Sequence, residues 1–240
     1  MGKKINTNSN SNSYIITYSV LMVVIVAFLL AFVSKSLQSK SEANVAIDKK
    51  SQILSALNIR NLESEQIEKK YSDVIVADQV LDKHGNIVKD GKNKDEDAFT
   101  MSSKDINENL LPLYVCKIDG ETKYVVPVYG MGLWGALWGY ISINKDGNTV
   151  YGSYFSHQSE TAGLGALITE KKFQDQFKNK VIFDNSKVLL SVVKAGKKVN
   201  GLPNNSRCDA VTGATLTSDG VDEMLKTSLK KYTNIFKNIK

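Results

Sequence analysis

A short hydroxyl-rich segment near the C-terminus has the residue types and spacing for covalent chemistry. Residues 209–217 read DAVTGATLT. Gly213 and Ala214 have almost no side chain, so the active site of another protein can close around the backbone there. Thr215 follows them and presents an isolated hydroxyl, which is a suitable acceptor for a phosphoryl group. The pattern indicates a modification site, although small and hydroxyl residues are also common in ordinary turns.

A helix predicted over residues 218–236 must position this hydroxyl. Thr217 or Ser218 is the expected N-cap, because both residue types accept a hydrogen bond from N–H groups of the first turn. The unpaired N–H groups of that turn favour a phosphate placed beside Thr215. The same residues are also compatible with a plain turn that leads into a helix.

A second segment with candidate binding residues is HQSETAGLG, over residues 157–165. By itself it is typical of a strand that ends in a glycine turn, and His157 of an ordinary surface histidine. The segment GMGLWGALWG, over residues 130–139, contains a Gly-x-Gly pattern. It lacks the strand–helix context and the later acidic residue of a dinucleotide-binding loop, so no Rossmann site is predicted. Trp134 and Trp138 are expected to be core or interface aromatics.

The composition argues against several classes of function. The chain has 240 residues, a net charge of +6, two cysteines and two histidines. Two cysteines and two histidines are too few for a disulfide scaffold or for a metal site built from thiolates and imidazoles. Cys116 and Cys208 have no CxxC partner, which leaves buried thiols or a chance pair. Arg60 and Arg207 are the only arginines, among scattered lysines, which argues against specific nucleic-acid binding.

Residues 14–33 form an apolar stretch of 20 residues that contains no charge. At about 1.5 Å per residue it spans about 30 Å, the thickness of the hydrocarbon core of a bilayer. It is longer than the apolar part of a signal peptide, and no clear cleavage site follows it. An uncleaved single-pass anchor is therefore predicted. Lysines lie on both sides of the stretch, so their count does not settle its orientation.

The rest of the chain predicts an α+β domain, with a largely antiparallel sheet flanked by helices. Pairs of apolar runs separated by turn residues indicate hairpins, and helical patterns lie around them. We expect a polar tail over 1–13, the anchor over 14–33, and a globular domain with an N-terminal helical region over 34–240. The predicted helices cover 41–60, 63–71, 169–177 and 218–236. The predicted strands cover 74–81, 87–88, 113–118, 123–129, 140–144, 149–155 and 188–193. A polar loop is predicted over 195–207.

The segment DAVTGAT resembles the flavinylation motif that the periplasmic flavin transferase recognises. In that family the transferase moves FMN from FAD to the last threonine as a phosphoester, which implies covalent FMN on Thr215. The family often has Ser where this chain has Thr212, a mild departure. The stretch ETAGLG is similar to one found in FMN-binding domains. By that resemblance the flavin-ring pocket is lined by Glu160, Thr161, Leu164 and Gly165, and Trp134, Leu216 and Thr217 are further candidate contacts.

The resemblance extends along almost the whole chain, to the C subunits of the Na+-translocating NADH:quinone oxidoreductases. It includes the anchor, a helix near NVAIDKKSQILSALNI, the segments GMGLWGALWGY and HQSETAGLG, and TGATLTSDGV. The nearest alternative is the G subunit of the related ferredoxin:NAD+ reductase complex, which shares the anchor and the flavin motif. A membrane-anchored structural domain without a cofactor is the third possibility.

This resemblance implies an electron carrier that is not catalytic in isolation. In the family, FMN receives electrons relayed from an NADH-oxidising subunit and passes them to a flavin in a membrane subunit. The complex as a whole reduces quinone and exports Na+, so no catalytic residue and no metal ligand is expected in this subunit. The implied partners are the other subunits and, during maturation, the flavin transferase. The implied location is the cell inner membrane, with the globular domain on the periplasmic side.

Overall fold

The chain divides into two compact units. The computed structural model of the protein describes residues 11–197 and 199–239, so the predicted tail over 1–13 lies largely outside the described residues. The first unit is Met1–Asp48 and the second is Lys49–Lys240. The second unit contains the sheet and every candidate site residue.

Helix α1 spans Asn12–Ala56 without a break. The predicted anchor over 14–33 lies inside it, and the predicted helix over 41–60 is its continuation rather than a separate element. The residues between them contain neither glycine nor proline, so nothing interrupts the helix. Within the described part of the chain, α1 is the one helix long and apolar enough to cross a membrane. It ends shortly before Asn58, which has a left-handed φ of 62°.

A six-stranded antiparallel sheet forms the centre of the second unit. Its strands are β1 Ile75–Leu81, β2 Ile87–Lys89, β3 Leu111–Ile118, β4 Glu121–Met131, β5 Ala136–Asn144 and β6 Val150–His157. The spatial order is β2-β1-β3-β4-β5-β6, and each neighbouring pair is antiparallel. The predicted largely antiparallel sheet is confirmed, and the three predicted hairpins form as β1–β2, β3–β4 and β5–β6. Met131 pairs with Ala136, so β4 and β5 are joined by a turn over residues 132–135.

The remaining elements are short, apart from one helix that packs on the sheet. The helices are α2 Ser64–Val74, α3 Lys171–Gln174, α4 Thr215–Lys231 and α5 Thr233–Asn238. Short 3-10 helices at Gly165–Thr169 and Asp175–Phe177 flank α3. Together they make the predicted helix over 169–177 a series of short turns. The small strands pair as β7 Phe183–Asp184 with β8 Lys187–Val188 (antiparallel) and β9 Ser191–Val193 with β10 Arg207–Asp209 (parallel).

The prediction of one strand over 188–193 is wrong, because the chain changes direction in the middle of it. Leu189 and Leu190 both donate their N–H groups to the carbonyl of Ile182, at 2.7 and 3.2 Å. Leu190 is fully buried in the core. The apolar run therefore reflects burial between two small sheets rather than one continuous strand. The predicted polar loop that follows contains Lys198, which lies outside the described residues, and runs into β10.

Helix α4 packs along β4 through one apolar stripe. Val221, Met224, Leu225 and Leu229 are buried at helical spacing. The approach is close, because a Cβ atom on Gly130 of β4 would lie 2.6 Å from the Cβ atom of Met224. Nearer the start of α4, a Cβ atom on Gly220 would lie 2.4 Å from the Met131 carbonyl oxygen, so this part of the helix lies beside the turn that joins β4 to β5.

The predicted start of the C-terminal helix is wrong by one turn. Helix α4 begins at Thr215, its N-cap is Ala214, and no side chain caps it. Thr217 and Ser218 do not act as caps, because both are buried and bonded elsewhere. The Ser218 hydroxyl donates to the Ala214 carbonyl and accepts the N–H of Val211. The predicted single helix to residue 236 is also divided, into α4 and α5, at the junction after Lys231.

Candidate functional site

One cavity in the second unit is lined by residues from all of the motifs described above. It has a volume of about 200 Å³ and lies between the β4–β5 turn, the loop after β6 and the N-terminus of α4. All eight predicted site residues line it, although they come from three separate segments. The complete lining is Leu133, Trp134, Glu160, Thr161, Leu164, Gly165, Gly213, Ala214, Thr215, Leu216 and Thr217.

Glu160 joins the three segments at the cavity. Its Oε2 atom accepts a hydrogen bond from the Thr217 hydroxyl at 2.5 Å, and its Oε1 atom accepts the Trp134 backbone N–H at 2.8 Å. Its own backbone N–H donates to Nδ1 of His157 at 3.1 Å, so the lone pair of that nitrogen faces the loop. Only 7% of Glu160 is exposed. A buried carboxylate with two donors is well satisfied and holds the turn and the helix together.

Two glycines leave the space that this carboxylate occupies. A Cβ atom on Gly132 would collide with Oε1 of Glu160. A Cβ atom on Gly165 would lie 2.5 Å from Oγ1 of Thr217 and 2.6 Å from Oε2 of Glu160. The Gly-x-Gly pattern predicts no nucleotide loop, and the sequence alone indicates no role for Gly132. Its role becomes visible only when Glu160 is placed beside it, 28 positions along the chain.

The walls of the cavity are apolar and open to solvent. Leu133, Trp134, Leu164 and Leu216 are between 44% and 65% exposed. Large apolar side chains that cluster in the open mark a binding surface. Three of these four residues are predicted site residues, whereas Leu133, next to Trp134 in the β4–β5 turn, is not. The walls suit a flat, largely apolar ligand.

Thr215 lies at the edge of the cavity, as the first residue of α4. Its side chain is exposed, whereas Thr217, two residues later, is buried. The preceding Gly213 has a φ of +80°, a backbone conformation that favours glycine. Because no side chain caps α4, its first-turn N–H groups remain available to an anion. The hydroxyl and the anion-binding end of the helix therefore occupy the same place.

The segment before Thr215 is held by a residue that the sequence did not reveal. The Gln176 side chain accepts the Asp209 N–H at 2.9 Å and donates to the Asp209 carbonyl at 3.3 Å. Asp209 is also paired with Arg207, at 3.0 Å. Thr212 lines a different cavity, of about 530 Å³, together with Asp209. Thr212 and Thr215 therefore line different cavities.

The two cysteines and Trp138 have structural rather than chemical roles. Cys116 and Cys208 are free, buried thiols, which removes the alternative of a disulfide between them. Burial raises the pKa of the Cys208 thiol to about 12 and raises the pKa of Cys116 as well. Both are therefore poor nucleophiles at neutral pH. The Trp138 indole N–H donates to the Gln52 side chain at 3.1 Å, so this tryptophan attaches the end of α1 to the sheet.

Comparisons with known proteins agree with this geometry. The FMN-binding domain family matches residues 132–230, which include every residue that lines the cavity. The C subunit of the Na+-translocating NADH-quinone reductase of Haemophilus ducreyi is 31% identical over 238 residues, covering 91% of this chain and 90% of that one. This chain belongs to the family of these C subunits. The resemblance inferred from the sequence is thereby confirmed.

Solved structures of C subunits from this family have the same fold. The crystal structure of the C subunit from Parabacteroides distasonis matches with a TM-score of 0.76 and 40% identity, over 83% of this chain and 96% of that one. The crystal structure of Shewanella oneidensis NqrC matches with a TM-score of 0.66 over 82% of this chain and 98% of that one. At 22% identity the second match shows a shared fold only.

Proposed function

We propose that this chain carries FMN as a phosphoester on Thr215 and serves as the electron-carrier subunit of a membrane complex. That complex would oxidise NADH, reduce quinone and export Na+; its relatives are named as subunits of a Na+-translocating NADH-quinone reductase. The observation that carries the proposal is the cavity in which the flavin-domain residues meet the Thr215 hydroxyl. The match to the FMN-binding domain family favours this function over a cofactor-free anchored domain.

The residues that line the cavity fit the parts of FMN. Trp134, Leu164 and Leu216 offer apolar surface to the isoalloxazine ring, and binding would cover side chains that are otherwise exposed. Glu160 and Thr161 supply polar groups at the same cavity. The uncapped N-terminus of α4 suits the phosphate. FMN supplies the redox chemistry when bound, while the protein positions the ring and sets its electrostatic surroundings.

The attachment reaction needs an accessible hydroxyl, and Thr215 has one. In the reaction that the motif implies, a bond forms between the threonine Oγ atom and the FMN phosphorus. The pyrophosphate bond of FAD breaks, AMP leaves and the hydroxyl loses its proton. Thr217 is a poor acceptor, because it is 2% exposed and its hydroxyl is bonded to Glu160. Thr212 is exposed but does not line the cavity.

The location proposed for this subunit is the cell inner membrane. Helix α1 serves as a single-pass anchor, which its length and apolar composition support. The globular unit lies on the periplasmic side, because the flavin transferase implied by the motif works there. The partners are the other subunits of the complex, the membrane and, during maturation, the transferase. A covalent bond keeps the cofactor in place on a side of the membrane that has no FMN pool.

Intact-mass measurement of the full chain tests the proposal. The chain is purified in detergent after co-expression with a flavin transferase, and again without it. We expect an FMN-sized mass increase only with the transferase, located by peptide mapping to the peptide that contains Thr215. An unmodified chain under both conditions, or modification of a peptide without Thr215, would contradict the proposal.

A further inference from the structure

We propose that the Glu160 carboxylate lowers the reduction potential of the flavin held in this cavity. The inference rests on the proposed function and adds a specific electrostatic role to it. Glu160 is the only side chain with an ionisable group among the residues that line the cavity. Within residues 11–197 and 199–239 it takes part in no ion pair.

The groups that contact the Glu160 carboxylate are hydrogen-bond donors without a charge of their own. The Trp134 backbone N–H can only donate, so Oε1 must accept. The Thr217 hydroxyl donates to Oε2 from the first turn of α4, and the end of the helix favours a negative charge. Both donors are neutral groups. A negative charge therefore remains at the cavity, with no cationic side chain in the lining to offset it.

The surroundings make this charge effective over a short range. Glu160 is almost fully buried, and the cavity walls beside it are leucines and a tryptophan. A flavin ring bound in the cavity would cover these walls, and charges shielded from water interact more strongly and are screened less than charges in water. Reduction adds negative charge to the flavin ring. A fixed negative charge nearby opposes that addition, for the same reason that it raises the pKa of a neighbouring acid. The expected result is a more negative midpoint potential.

A purely structural role for Glu160 predicts a different outcome. In that case the residue would only join the β4–β5 turn to α4, and loss of its charge would leave the potential unchanged. Glu160→Gln separates the two roles. The amide oxygen can still accept the Trp134 N–H, and the amide nitrogen can donate to the Thr217 hydroxyl, so the contacts survive while the charge is lost.

The test is a spectroelectrochemical titration of the full chain in detergent, after co-expression with the flavin transferase. We expect Glu160→Gln to raise the midpoint potential, with at least about a tenfold change in the one-electron reduction equilibrium, which is about 59 mV. Glu223→Gln is the matched control, because this carboxylate is exposed on the same helix that carries Thr215. It should leave the potential at the wild-type value. An unchanged or lower potential in folded, loaded Glu160→Gln would overturn the inference.

A second variant keeps the inference testable if Glu160→Gln does not fold. Thr217→Val leaves the carboxylate charge in place but removes a neutral donor whose dipole partly offsets that charge. The flavin should then experience a stronger negative charge, so we expect the potential to become more negative. A potential that rises or stays the same would count against the inference.

Covalent flavin in the wild-type chain is read first, by fluorescence of the denatured protein. Its absence would refute the proposed function, whereas a loaded chain with an unmoved potential refutes only the role of Glu160.

Discussion

The Thr217 hydroxyl donates to Oε2 of Glu160 across 2.5 Å, between residues 57 positions apart in the chain. This bond joins the start of α4 to the loop after β6. It replaces the local N-cap role that the sequence predicts for Thr217. The same residue type can fill either role, and the tertiary partner decides between them. Thr217 therefore stabilises the cavity through a buried charged group rather than through the end of its own helix.

Loss of this hydroxyl should destabilise the fold more than loss of a cap. Thr217→Val leaves a buried carboxylate without one of its two donors, so we expect the free energy of unfolding to fall by about 1–3 kcal/mol. Thr217→Ser keeps the hydroxyl and is the matched control, with a smaller loss expected from the missing methyl group. Urea unfolding of the detergent-solubilised chain measures both. Equal losses in the two variants would contradict this role of the hydroxyl.

Gly165 should not tolerate a side chain. Gly165→Ala places a Cβ atom within 2.6 Å of both Glu160 and Thr217, and we expect a loss of about 2–4 kcal/mol from overpacking and the disturbed hydrogen bond. Gly163→Ala, in the same loop, is the control. Gly163 has nothing within 4 Å of its Cβ position and a φ of +74°, so only backbone strain of about 1 kcal/mol is expected. Thermal unfolding that ranks the two variants equally would exclude the proposed packing.

The sequence predicts the elements better than it predicts their boundaries. The hairpins can be predicted because turn residues separate the apolar runs, and every strand pair of the sheet except β1–β3 joins consecutive strands. The strand predicted over 188–193 fails because burial of Leu190 gives the same apolar pattern as a continuous strand. The start of α4 is missed because Ala214 gives no capping signal.

Part of the candidate site can also be predicted from the sequence. The Thr215 and Glu160 segments resemble known motifs, so their residues can be named from the sequence. Gln176 and Gly132 cannot, because each acts on a partner more than 25 positions away that only the fold brings near. Nothing in the sequence marks Leu133 as a site residue except its position next to Trp134. Long-range contacts of this kind leave no local pattern.

The orientation of the anchor is a separate prediction. Protease added to spheroplasts that express the full chain should digest the globular unit, because we place it on the periplasmic side. Inverted membrane vesicles should protect it. An immunoblot against the C-terminus reads both experiments. Protection in spheroplasts combined with digestion in inverted vesicles would reverse the proposed topology.

Fluorescence of the denatured chain in a gel tests the central claim, that Thr215 carries FMN. The full chain is co-expressed with a flavin transferase, and only covalently bound flavin survives denaturation. Thr215→Ala removes the only side-chain oxygen at that position, so we expect its fluorescence to disappear while the fold remains. Thr212→Ala should stay fluorescent, and Thr215→Ser, which keeps a hydroxyl, should retain part of the signal. A fluorescent Thr215→Ala chain, or a Thr212→Ala chain that alone is dark, would contradict the assignment.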